Sequence, residues 1–129
     1  MPELSALAAY RAVEGIGAEP EALMKMAMDA TRTFLLQAEA AMIAGDRPAK
    51  AKALNAAAKV IELMLGLSGA ERGALSDRLA GVYQFILAAI LQANAWDDAE
   101  ALAAGRLAVE QLAEIWRRVF PDAVAWRNA

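Results

Sequence analysis

The chain is 129 residues long, with 13 Lys and Arg against 16 Asp and Glu, a net charge of −3. Hydrophobic residues reach 59% and charged residues 22%, which excludes a disordered chain and points to one globular domain spanning 1–129. There is no Cys and no His. Disulfides, thiolate nucleophiles, imidazole bases and the usual Cys/His zinc sites are therefore excluded, as are carboxylate di-metal bundles that need Glu-x-x-His. No catalytic, cofactor-binding or metal-binding residue is expected.

Alanine makes up roughly a quarter of the chain, and Ala and Leu dominate over the β-branched residues. Both are strong helix formers. The four prolines, Pro2, Pro20, Pro48 and Pro121, stand where helices begin or end. Residues 3–13 read as a short helical arm, and Gly15-Ile16-Gly17 as a turn after it, within an arm of residues 1–17. The first long helix is predicted over 20–44, with Pro20 in its first turn and Gly45-Asp46 as its stop. The second is predicted over 48–67, with Asp46 or Arg47 in its cap region and Ser68-Gly69 ending it. The third covers 75–94 and the fourth 98–120, with Asp97 as the capping carboxylate and Pro121 as the stop. Residues 121–129 form a tail. Four helices near twenty residues, joined by short connections, predict an all-α, antiparallel up-down-up-down four-helix bundle.

The fourth helix carries an ordinary apolar stripe of Leu102, Val109, Leu112, Trp116 and Val119, and the second carries Leu54, Ala58, Ile61 and Leu65. The third does not. From Leu79 to Leu91 only Gln84 is strongly polar, so every side of the helix is apolar. The first is similar, with Leu23, Ala27, Ala30 and Phe34 on one face and Met24, Met28 and Leu35 extending a second. Such surplus apolar surface calls for a cover: the N-terminal arm, a second copy, a membrane or a client peptide. The methionine cluster suits an adaptable binding surface, while for any single methionine core filling is the plainer reading. Tyr83 and Phe85 point about 200° apart on a helix, so one of them is core and the other is available to a partner. Asn94 reads as a C-terminal cap and Trp96 as half exposed in the turn after it. Arg47, Lys50, Lys52 and Lys59 read as a solvated face rather than a nucleic-acid site. Glu114 and Arg118 read as a surface pair. The stretch Leu79 to Ala95 is marginal for spanning a bilayer, no secretory signal is visible, and a soluble cytoplasmic protein without membrane insertion is expected.

Several motifs together resemble the flagellar secretion chaperone family FliS. That family has a tyrosine ten residues before a proline, opening a first helix of the form T-A-S-P-E-K-L-L-x-M-L-Y-D-G-A-x-R-F-L. Here Tyr10 and Pro20 have the spacing, Pro20-Glu21-Ala22-Leu23 follows P-E-K-L, and Met26, Asp29 and Phe34-Leu35 match. Gly45-Asp46 and Ile61-Glu62-Leu63 match a G-D and an I-x-E-L in the second helix. Leu79, Tyr83, Ala93, Asn94, Asp98 and Trp116 match later positions. Met28-Asp29-Ala30 replaces the family's Y-D-G, and Gly17-Ala18-Glu19-Pro20 its T-A-S-P.

The resemblance implies a non-enzymatic cytoplasmic chaperone. Such a protein binds the disordered C-terminal segment of flagellin, prevents premature polymerisation, and delivers the subunit to the flagellar type III export apparatus, whose gate is then a further partner. The expected client-binding residues are Tyr10, Met24, Met28, Leu35, Leu79, Tyr83, Ile86, Ile90 and Asn94, in a groove built from the first and third long helices, with the arm competing for it. The alternative is a homo-oligomeric helical scaffold, a homodimer in its simplest form, burying the same surface against another copy.

Overall fold

The computed structural model describes residues 20–68 and 74–119; Tyr10, the N-terminal arm and the tail lie outside the described residues. The protein is all-helical, with no strand among the described residues. Four helices follow one another: α1 (Pro20–Ala44), α2 (Arg47–Ser68), α3 (Ala74–Trp96) and α4 (Ala99–Val119). Pro20 and Pro48 fall in the first turns of α1 and α2, where a missing backbone N–H breaks no helical hydrogen bond.

The two described reversals share one design. At the end of α1, Gly45 takes a left-handed φ of 71°, and the amides of Gly45 and Asp46 return to the carbonyls of Met42 (3.1 Å) and Ala41 (2.9 Å). This pair of bonds satisfies carbonyls that the helix leaves open. Asp46 then caps α2, its Oδ1 accepting from the amide of Ala49 at 3.1 Å. At the end of α3 the left-handed residue is Asp97, with φ 51°. Asp98 follows as the cap of α4, accepting from the amide of Ala101 at 3.0 Å. The sequence assigned the capping role to Asp97 and the helix stop to Asn94; the helix instead runs through Trp96, and Asp98 is the cap.

Each helix packs on its chain neighbours, and α4 returns to close the ring against α1. The α1/α2 seam is the most extensive and the α1/α4 seam the thinnest. The α1 and α3 helices lie diagonally across the core, and the four main seams among the described residues do not include one between them.

The core is a continuous cluster of one stripe from each helix. On α1 the stripe is Met24, Met28, Thr31, Leu35, Ala38 and Ala41, at steps of three and four. The sequence left two apolar faces on this helix; the methionine face is the buried one, and Ala27 and Phe34 pack at its edge. Thr31 is fully buried, and its hydroxyl donates to the carbonyl of Ala27 at 2.8 Å. That satisfies the only hydroxyl in the α1 stripe. The α3 stripe is Leu79, Tyr83, Ile86, Ile90 and Ala93, facing Leu102, Val109, Leu112 and Trp116 of α4 and Leu54, Ile61 and Met64 of α2. Each large aliphatic side chain so buried contributes about 1.5–3 kcal/mol relative to exposure. The α3/α4 seam closes tightly because Gly105 lies against Ala89: a Cβ at Gly105 would stand 3.2 Å from that of Ala89.

Candidate client-binding surface

Seven of the nine residues expected to line a client groove are core residues. Met28, Leu35, Tyr83 and Ile86 are fully buried, and Met24, Leu79 and Ile90 nearly so. The physical reason is plain in α1 and α3. Where a helix is apolar on more than one side, periodicity shows that a face is apolar without showing which face turns inward. The larger, more regular stripes went to the core. Asn94 is partly exposed and helical, and its backbone carbonyl accepts from Lys50 Nζ at 3.1 Å.

The surface that remains apolar is the other side of the same helices. On α3, Phe85 is 52% exposed, Leu91 70% and Trp96 74%. Gly81, Ala88 and Ala95 are exposed beside them, and the helix carries no charged residue between Arg78 and Asp97. Of the pair that could not share one face, Tyr83 is the core residue and Phe85 the exposed one. On α1, Met26, Leu36 and Ile43 are exposed, and on α4, Leu107. Of these, Leu36, Ile43, Leu91 and Leu107 are not singled out by the sequence. Leu107 had a signal: it is a large apolar residue on the otherwise small and polar side of α4, with Ala103, Glu110, Gln111 and Glu114. Leu91 had none, because α3 has no polar side to contrast with it. By length and composition the segment Asp77–Trp96 could cross a membrane, and in this fold its inner stripe is packed in the bundle.

Leu36 and Leu107 flank a groove of about 330 Å³ between α1 and α4. Its floor includes the buried Leu35 and Val109. Two ion pairs span it. Arg32 donates from Nε and Nη2 to Glu110 Oε1 and Oε2, at 2.6 and 3.0 Å, and from Nη1 to Asp29 Oδ1 at 3.0 Å. Further along, Arg106 of α4 pairs with Glu39 of α1. Lys25 holds the second oxygen of Asp29 at 2.7 Å.

A second cleft, of about 400 Å³, lies where α2 begins and α3 ends. It is lined by Arg47, Lys50, Asn94, Trp96 and Asp97. The sequence placed Lys50 on a solvated face. The structure buries it, because its Nζ reaches both the Asn94 carbonyl and the Asp97 carboxylate across the α2/α3 seam. The hydrogen bond from Lys50, with the charges of Lys50 and Arg47, holds the Asp97 carboxyl below its ordinary range. The Asp98 carboxyl is also lowered, first by the Ala101 amide and then by the Gln92 side chain. Among the described residues, no group of three or more His, Cys, Asp or Glu could hold a metal ion.

Fold and surface together define a small four-helix bundle whose third helix keeps an uncharged, largely apolar outer face. Comparison with known proteins sharpens this. The family described as "Flagellar protein FliS" matches residues 3–123. The "Flagellar secretion chaperone FliS" of Salmonella typhimurium (strain LT2) is 30% identical over 110 residues, covering 84% of this chain and 82% of that protein. The chain belongs to the FliS family of flagellar proteins.

Proposed function

We propose that the protein is a non-catalytic flagellar export chaperone that holds the disordered C-terminal segment of flagellin in the cytoplasm, prevents its polymerisation and hands it to the export gate. Family membership and the likeness to a named flagellar secretion chaperone support the export role. The observation that carries the binding mode is the outer face of α3, where Phe85, Leu91 and Trp96 stand exposed on a helix without charge from Leu79 to Trp96. A disordered segment that folds as it docks needs such an area, because ordering it costs conformational entropy that apolar burial must offset. Leu79, Tyr83, Ile86 and Ile90 act from beneath, fixing the helix whose outer side makes the contact. Met24, Met28 and Leu35 do the same for α1. Tyr10 and the arm compete for the face, and Asn94 lies at its end.

Calorimetric titration with a flagellin C-terminal segment tests this. Binding to the wild-type chain is expected, with Phe85→Glu and Leu91→Glu abolishing it while helix content stays unchanged. Undiminished binding by both variants would reject the α3 face. No binding by the wild-type chain, together with a self-association that Leu91→Glu dissolves in sedimentation, would give the surface to a second copy instead.

A further inference from the structure

We infer that the α1/α4 seam is the line along which the bundle opens, and that the Arg32–Glu110 and Arg106–Glu39 ion pairs are its latches. Three seams of the ring join chain neighbours; the fourth joins the first helix to the last and is the thinnest. A groove of about 330 Å³ runs along it, floored by the buried Leu35 and Val109. Leu36 and Leu107, which could have interlocked there, are half exposed or more. What crosses the gap is charge. Arg32 reaches Glu110 with two hydrogen bonds, and Arg106 reaches Glu39. These four side chains are 28% to 54% exposed, so water and salt screen them. The α2/α3 seam is also crossed by charge, but there Lys50 is buried, and the apolar burial that holds the other seams is not screened in this way. Directly beneath lie Leu35 and Val109, both fully buried, and an opening at this seam uncovers them before Ile61 on α2. Local opening of this kind is drawn from the least-packed part of a fold.

The inference concerns the free protein and does not depend on which client it holds. Because the chain has no cysteine, a single introduced thiol reports opening at one place. Val109→Cys and Ile61→Cys would each be labelled with a thiol reagent under native conditions. The thiol at position 109 is expected to react at least about tenfold faster than that at 61, and faster again as sodium chloride is raised from roughly 0.05 to 1 M, where the screening length falls to about 3 Å. Adding Arg32→Gln and Arg106→Gln should speed labelling at 109, leave 61 unchanged, and remove the salt response at 109. Equal rates at the two positions would overturn the inference, since global unfolding exposes both alike. So would a rate at 109 that ignores salt in the chain with all four charges intact. The salt series on Val109→Cys alone decides the matter even where the arginine variants fail to fold.

Discussion

Lys50 and Asp97 are 47 residues apart, and the ammonium of the first closes on the carboxylate of the second at the corner where α3 turns into α4. The lysine also takes the carbonyl of Asn94, which lies in the last turn of α3 and lacks a partner within the helix. The α2 helix thus supplies a C-terminal cap to α3. Lys50→Ala is expected to lower the thermal unfolding midpoint more than Lys52→Ala, whose side chain is exposed two residues away. Equal effects in thermal melts would remove the capping role.

Asp97 has two duties that substitution can separate. Its left-handed backbone suits Gly and Asn, and its carboxylate holds Lys50. Asp97→Asn keeps the first and loses the charge, and Asp97→Gly loses both the charge and the acceptor. Both variants should lose acid sensitivity. A carboxyl whose folded pKa lies below its ordinary 3.8 adds stability that is complete above that value and disappears as pH falls through the folded value. Denaturant midpoints measured from pH 2 to 7 should therefore fall less steeply below about pH 4 in Asp97→Asn than in the wild-type chain.

Two helical glycines should respond in opposite ways. Gly81 is exposed, and a Cβ there meets nothing, so Gly81→Ala is expected to stabilise by about 0.5–1 kcal/mol through helix propensity. Gly105 faces Ala89 across the α3/α4 seam, and Gly105→Leu should destabilise by about 1–3 kcal/mol through overpacking. Urea denaturation of both variants provides the check.

Charge placed on the inner and outer sides of α1 and α3 should also separate. Met28→Glu and Ile90→Glu put a carboxylate in the core and are expected to cost several kcal/mol, enough to unfold a small domain. Met26→Glu and Leu91→Glu place it in water and should leave the melting transition in place. Circular dichroism would read both.

The number and order of the long helices were legible because the punctuation is local. Pro20, Gly45-Asp46 and Pro48 act within a few residues, and the physics that places them needs no tertiary structure. The inward face of α4 was legible too, since Glu110, Gln111 and Glu114 mark its outer side. The inward face of α1 was not, because Met28 and Leu35 compete with Ala27 and Phe34 one position away. For the same reason the sequence does not tell the inner side of α3, where Tyr83 and Ile86 lie, from the outer side of Phe85 and Leu91. Lys50 escaped because its partners, Asn94 and Asp97, lie more than forty residues away at the end of α3 and in the turn after it. Asp97 and Asp98 are identical in type, and only the backbone shows that one turns the chain and the other caps.

The closure between Arg32 and Glu110 spans 78 residues, whereas the other three seams join helices adjacent in the chain. During synthesis, α1, α2 and α3 can associate as each leaves the ribosome, since short connections make those encounters fast. The final seam cannot form until α4 has emerged, and it must then bring together the most distant parts of the sequence against loop-closure entropy. Until then Leu35 on α1 has no Val109 to cover it. Any chain from which α4 has yet to emerge therefore leaves the inner side of α1 without its last cover.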